Sequence, residues 1–397
     1  MSSSFIRPSR AAAYLDHNAT TPVRPEAAAA VAEALAAVGN PSSVHGAGRA
    51  ARRLVEMARE RVAALAGAAP DRLVFTGGGT EANHLALRGA GRTRILISAI
   101  EHDSVHAAAA LAAAGASVGI IPVTRQGVAD LPALDRLLGD GAGGPPPLVS
   151  VMLANNETGV IQPVAEIAAL AHRHGALVHC DAIQAAGKIP VGLEALGVDL
   201  LTLSAHKIGG PPGVGALALA PGADVAPLLT GGGQERGRRA GTENVPGIAG
   251  FGAAAAAVAE SGGASAAAGL AALRDGIERR IAEIAPDARF YGADAPLRLP
   301  NTSCILMPGV KAETQVMALD LAGVMVSAGS ACSSGKVRPS RVLQAMGVPD
   351  GEAGCAIRVS FGWTSTPDDA DALVTAWTEL YRRTRGSGGG RRARAAA

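Results

Sequence analysis

A surplus of charge is the first thing this sequence lacks: 36 lysines and arginines stand against 34 aspartates and glutamates, for a net charge of +2. That balance gives no basic surface for nucleic acid or an anionic membrane, and a small molecule is the better expectation as ligand. Long hydrophobic runs are missing as well. Hydrophobic residues make up 48% of the chain, largely as alanine, yet Gly, Pro or charge breaks each run well short of the roughly 20 residues a membrane span needs. Residues 1–13 carry Ser and Arg but no apolar core, so they do not read as a secretory signal. Cysteine is sparse, with four residues at 180, 304, 332 and 355 and no CxxC pair or framework spacing. This excludes a disulfide scaffold and predicts free thiols in a reducing cytoplasm. Lysine is sparse too, supplying only four of the 36 basic residues, at 188, 207, 311 and 336. In a chain that otherwise uses arginine, a lysine at a strand end does something arginine cannot.

What is present has a clear period. Between 73 and 220 short apolar runs alternate with helical stretches, which predicts an α/β fold with a mostly parallel, seven-stranded sheet covered on both faces. The strands are expected at 73–76, 94–98, 118–123, 148–154, 176–182, 200–204 and 215–220. Polar residues cluster just after their carboxyl ends, the edge at which open α/β sheets bind ligands. Beyond the glycine-rich stretch 231–241, Leu270, Leu273, Ile277, Ile281 and Ile284 recur at helical spacing and mark an amphipathic helix. It opens a smaller α+β domain that continues through strand-like 303–307 and 356–361. A last helix is announced by Thr366 as cap, Pro367 in the first turn and the acids Asp368 and Asp369 at the positive end of the dipole. The expected division is a large domain over 14–260, its N-terminal segment contributing to the small domain, a small domain over 261–385, and a disordered basic tail over 386–397.

Three segments carry candidate chemistry. Leu73-Val-Phe-Thr-Gly-Gly-Gly-Thr-Glu81 is a strand, a glycine turn and a helix start, where backbone N–H groups and the Thr80 hydroxyl could hold a phosphate. The same turn could also be purely structural, and it is not a nucleotide P-loop. Val178-His-Cys-Asp-Ala-Ile-Gln184 delivers Asp181 to the sheet edge. A buried acid there needs a partner; a pyridinium nitrogen fits, and so does the start of the next helix. The neighbouring His172, His174, His179 and Cys180 match no zinc spacing, so no metal is expected. Leu201-Thr-Leu-Ser-Ala-His-Lys-Ile-Gly-Gly210 ends in Ser204, His206 and Lys207, and a lysine in a dry pocket loses its proton readily and attacks aldehydes.

In this order the three segments resemble the class V aminotransferase group of fold-type-I pyridoxal-phosphate enzymes, and more narrowly the cysteine desulfurases of the nitrogen-fixation and housekeeping iron-sulfur type. The resemblance includes Tyr14-Leu-Asp-His-Asn-Ala-Thr-Thr-Pro22, Gly39-Asn-Pro-Ser-Ser43, Glu101-His102, Ala154-Asn-Asn-Glu-Thr-Gly159, the run from Gly231 to Asn244, Ala328-Gly-Ser-Ala-Cys332 and Ala356-Ile-Arg-Val-Ser-Phe361. It implies pyridoxal 5'-phosphate bound through Lys207, with Asp181 at the ring nitrogen, Gln184 at the phenolic oxygen and His102 on the ring face. Gly79, Thr80, Ser204 and His206 are implied to hold the phosphate, joined by Thr242 from the other subunit of a homodimer. Asn156 and Arg358 are implied to bind the substrate carboxylate, where a guanidinium fork suits two oxygens.

Cys332 separates members of the group. It stands in the small-residue stretch Ser327-Ala-Gly-Ser-Ala-Cys-Ser-Ser-Gly335, whereas Cys180, Cys304 and Cys355 lie in or beside apolar strand-like runs that suit buried thiols. The resemblance therefore implies an enzyme that takes sulfur from L-cysteine onto Cys332 as a persulfide, releases alanine, and passes the sulfur to an acceptor protein such as an iron-sulfur scaffold. Two departures are visible: Ala205 where the family often has glycine, and Arg338 where an acid is common. The alternatives are another class V aminotransferase or selenocysteine lyase, and a catalytically silent sulfur-relay scaffold.

Overall fold

The computed structural model describes residues 12–140, 144–261, 263–329 and 339–394, with side chains described except at 264 and 386–394. A two-residue strand, β1 (Ala13–Tyr14), precedes helices α1 (Pro25–Ala36) and α2 (Gly46–Ala66). The strands of a seven-stranded sheet follow: β2 (Leu73–Thr76), β3 (Arg94–Ser98), β4 (Ser117–Ile121), β5 (Leu148–Met152), β6 (Leu177–Asp181), β7 (Leu200–Ser204) and β8 (Gly215–Leu219). Their order is β2-β8-β7-β6-β5-β3-β4; β8 runs antiparallel to both neighbours and the remaining pairs are parallel. Strands β5, β7 and β8 are buried at every position, which is why they read as continuous apolar runs rather than alternating ones. At the edge, β4 stops at Ile121, two residues short of the expected end, because Pro122 has no N–H to extend the ladder.

Helices cover the sheet. The glycine- and alanine-rich helix Val245–Glu260 packs against α1 and α2, and its small residues allow close backbone approach. A Cβ added at Gly252 would lie 2.5 Å from the Ala58 Cα. Two further helices, α3 (Gly79–Gly89) and α4 (Asp103–Ala112), start directly after β2 and β3. Their N-termini therefore point to the carboxyl edge of the sheet.

The C-terminal part builds a second sheet from β9 (Arg289–Tyr291), β10 (Thr302–Leu306), β12 (Ser327–Ala328) and β13 (Ala356–Ser360), antiparallel in the order β12-β13-β10-β9. The short β11 (Val324–Met325) pairs in parallel with β1. Leu15, Ile277, Ile281, Ile305, Phe361 and Trp377 form a buried cluster of their own. The helix Gly263–Ile284 contributes Ile277 and Ile281 fully buried, with Leu270, Leu273 and Ile284 packed at the margin, as the 3.6-residue spacing requires. The last helix, Pro367–Arg394, has its first turn closed by Asp369 rather than by a Thr366 acceptor: Asp369 Oδ2 accepts from the Thr366 N–H at 2.8 Å and hydroxyl at 3.0 Å. Helical backbone continues to Arg394, through most of the segment expected as a disordered tail; 395–397 lie outside the described residues. Among the described residues no single helix is long and apolar enough to cross a membrane.

Candidate active site

The carboxyl ends of the parallel strands open on a cavity of about 700 Å³. Its wall brings together Gly79, Thr80, His102, Asn156, Asp181, Gln184, Ser204, His206, Lys207 and Arg358, which come from segments as far apart in sequence as α3 and β13. Thr242 is exposed and does not line the cavity. Cys332 lies outside the described residues, but Gly329 and Pro339, which flank the segment 330–338, both belong to the cavity wall.

Lys207 sits in a tight turn, Ala205–Lys207, directly after β7. Its Nζ donates to the backbone carbonyls of Asn18 at 2.6 Å and Ala19 at 2.7 Å rather than to a carboxylate. Burial, and then the Arg358 cation, lower its pKa from 10.5 to about 8. That leaves roughly a tenth of the amine unprotonated at pH 7, far more than an unshifted lysine offers, which favours a nucleophilic role. Ala205, the departure noted above, is fully buried and leaves Lys207 on the cavity wall.

Asp181 ends β6. Its Oδ1 accepts from the Ile183 N–H at 3.0 Å and its Oδ2 from Asn83 Nδ2 at 2.8 Å. Asn83, fully buried on α3, accepts from the Thr202 hydroxyl at 2.7 Å and reaches Ser104 Oγ at 2.9 Å. The chain continues from Ser104 Oγ to His102 Nδ1 at 2.8 Å, and from Thr202 to His179 and Ser150 at 3.3 and 2.8 Å. Donors and acceptors alternate along the whole chain, so every member is satisfied. Burial raises the Asp181 pKa, opposed by the Ile183 N–H, Asn83, His102 and Lys207. His102 Nδ1 also accepts from the Ser104 N–H at 3.1 Å, which makes His102 itself the cap of α4 and leaves the ring proton on Nε2.

At the glycine turn Gly78 adopts φ 150°, and no side chain caps the first N–H groups of α3. Gly215 opens β8 tightly against this turn: a Cβ there would lie 2.5 Å from the Gly78 carbonyl carbon. An uncapped helix start with a hydroxyl at Thr80, ringed by Ser204 and His206, is an anion site in form. Burial and the Lys207 charge lower the His206 pKa to about 4, so its ring is neutral and can donate or accept. Glu81 ties the turn to the loop that carries Thr242, accepting from the Gly77 N–H at 2.7 Å and from Arg239 at 2.9 Å. That loop is anchored further by Glu235, buried and paired with Arg59 at 2.8 Å.

Arg358 pairs with Asp16 at 2.7 Å and donates to the Asn156 carbonyl at 3.3 Å, while its buried Nε has no partner. An unpaired guanidinium donor in a cavity wall is satisfied when an anion enters. Several residues of the site have no role in the sequence reading. Asn18 is the principal one: its carbonyl accepts from Lys207 and Gln184, and its side chain bonds Lys188, Asn301 and Thr302. It lies inside the quoted run from Tyr14 to Pro22, so the motif was visible and only its chemistry was not. Lys188 bonds Gln184 Oε1 at 2.8 Å, one helical turn away in sequence.

The three described cysteines are unsuited to nucleophilic work. Cys180, Cys304 and Cys355 are buried, and burial raises all three thiol pKa values.

A fold of this topology with a lysine and a buried acid at the carboxyl edge defines a class, and the chain belongs to it: residues 13–373 match the aminotransferase class-V family. A cysteine desulfurase of Cereibacter sphaeroides is 46% identical over 370 residues, covering 91% of this chain and 93% of the relative. The solved structure of a NifS-like protein from Rickettsia africae superposes with a TM-score of 0.86 at 36% identity, covering 94% of this chain and 99% of that one. A solved complex of SspA with cysteine is similar at a TM-score of 0.75 and 29% identity, over 88% of this chain and 98% of that chain.

Proposed function

We propose that this protein is a pyridoxal-phosphate-dependent cysteine desulfurase. The single observation that carries the reading is the largely buried Lys207, its amine pKa lowered, in one cavity with Asp181 and an uncapped helix start. These residues fit the cofactor's three polar parts: an amine for the aldehyde, a carboxylate for the ring nitrogen, and N–H groups with hydroxyls for the phosphate. When bound, the cofactor supplies an aldehyde to the amine and a ring that takes up electrons released at the substrate's α-carbon.

Lys207 would hold the cofactor through its amine. Asp181, fixed by Asn83 and the Ile183 N–H, keeps the ring nitrogen protonated. Gln184 would bond the ring's oxygen, and His102, with its proton on Nε2, would stack on the ring and move protons. Gly79, Thr80, Ser204 and His206 hold the phosphate, and Thr242 joins them from the second subunit of a homodimer, which accounts for its position outside the cavity of its own chain. Arg358 and Asn156 orient the substrate carboxylate. Cys332 attacks the sulfur of L-cysteine; the C–S bond breaks, a proton replaces it at carbon, and alanine leaves while the sulfur remains as Cys332 persulfide. The sulfur then passes to an acceptor protein of the iron-sulfur scaffold kind.

The reading is tested by incubating the purified, cofactor-loaded protein with L-cysteine and a reductant. Alanine and sulfide in equal amounts support it; keto-acid formation, or neither product, overturns it.

A further inference from the structure

Glu101 lies on the cavity wall beside His102, and the mechanism above gives it nothing to do. It is 4% exposed. One carboxyl oxygen, Oε1, accepts from the Met152 N–H at 2.7 Å; the other, Oε2, is buried without a hydrogen-bond partner. Among the described residues no lysine, arginine or histidine forms an ion pair with it. Met152 is the register partner of Asp181 on the adjacent parallel strand, so the Glu101 carboxyl is held one strand away from a second buried acid.

An ionised carboxylate in this position would be buried with one N–H and no cation, next to another negative charge, and such groups take up a proton instead. The groups that face it from β6 are Asp181 and Cys180. The His102 ring and Lys207 favour the anionic form of Asp181. Asp181 also receives two hydrogen bonds against the single one at Glu101. One proton shared between the two acids therefore belongs on Glu101.

We infer that Glu101 is a positioning residue that works as a neutral carboxylic acid: by holding the proton of a two-acid pair, it leaves Asp181 as the ionised member of that pair. Burial and the neighbouring Asp181 both push the Glu101 pKa well up, in agreement with the geometry. The proton's location stands on the arrangement of side chains alone; its effect on a bound cofactor rests on the role of Asp181 proposed above.

Glu101→Gln copies the neutral acid in shape and in hydrogen bonding, so it separates charge from structure. Infrared difference spectra of the cofactor-free protein should show a protonated-carboxyl band in the wild type that Glu101→Gln lacks. The loaded variant should bind pyridoxal phosphate within about threefold of wild type at neutral pH and show the same visible spectrum, since one pK unit corresponds to about 1.4 kcal/mol and no charge has changed. At the pH where the wild-type band disappears, the wild-type visible spectrum should change and that of Glu101→Gln should not. A band that survives in Glu101→Gln, or cofactor binding weakened tenfold or more in that variant, overturns the inference. Asp181→Asn is the separate control: if it leaves the visible spectrum untouched, the role of Asp181 fails while the infrared result still decides where the proton sits.

Discussion

Replacing Asn83 by leucine tests the hydrogen-bond chain behind the site. Leucine is close in volume but removes three bonds at once: to Asp181 at 2.8 Å, from Thr202 at 2.7 Å and to Ser104 at 2.9 Å. The bond to Asp181 stabilises its anion, and a hydrogen bond to a charged group contributes about 1.5–3 kcal/mol. At about 1.4 kcal/mol per unit, the Asp181 pKa rises by roughly 1–2 units. The Thr202 hydroxyl loses its acceptor in a buried setting, at about 1–3 kcal/mol, so the fold as a whole loses roughly 2.5–6 kcal/mol. Two measurements follow from this. Denaturant unfolding should show a lower midpoint with an unchanged slope, and the acid limb of kcat/KM for alanine release should move to higher pH. An Asn83→Leu protein with the wild-type midpoint and acid limb would refute the claim that this chain holds Asp181.

Two other expectations are simpler. Lys207→Ala should lower alanine release by more than about 100-fold. Borohydride treatment of the loaded wild type should leave a pyridoxyl group on the peptide containing Lys207, and the same group on Lys188, Lys311 or Lys336 would move the assignment. Burial lowers the pKa of His179 to about 3, and burial with Lys188 lowers that of His17 to about 4. Both folded values lie below the ordinary 6.5, so the unfolded chain binds protons first as pH falls. Stability is therefore full above pH 6.5 and declines as pH drops toward 4 and then 3, by a few kcal/mol in total. A protein equally stable to urea at pH 6.5 and pH 4.5 would contradict this.

Much of this was legible in the sequence because the sheet is buried on both faces. Runs such as Leu200–Ser204 have no solvent face to encode, and the polar residues that follow them mark the functional edge. Lys207 stood out against an arginine-rich background, and Asp181 against an apolar strand. What stayed hidden depends on contacts distant in sequence. Asn83 and Asp181 are 98 positions apart, and Asn18 and Thr302 are 284 apart. The protonation of Glu101 depends on the Met152–Asp181 register of two strands, which no local pattern states. Thr366 was misassigned as an acceptor because a hydroxyl can also donate, and Asp369 lies within its reach.

The central claim is that sulfur leaves L-cysteine for one particular thiol. The three buried cysteines are held protonated, which leaves Cys332. Mass spectrometry of the loaded protein after brief exposure to L-cysteine without reductant should find a single added sulfur, on the peptide containing Cys332. Cys332→Ser should bind the cofactor as before, acquire no sulfur and transfer none, because a hydroxyl does not accept sulfur as a thiolate does. Sulfur found on Cys180, Cys304 or Cys355, or wild-type transfer by Cys332→Ser, would contradict the account.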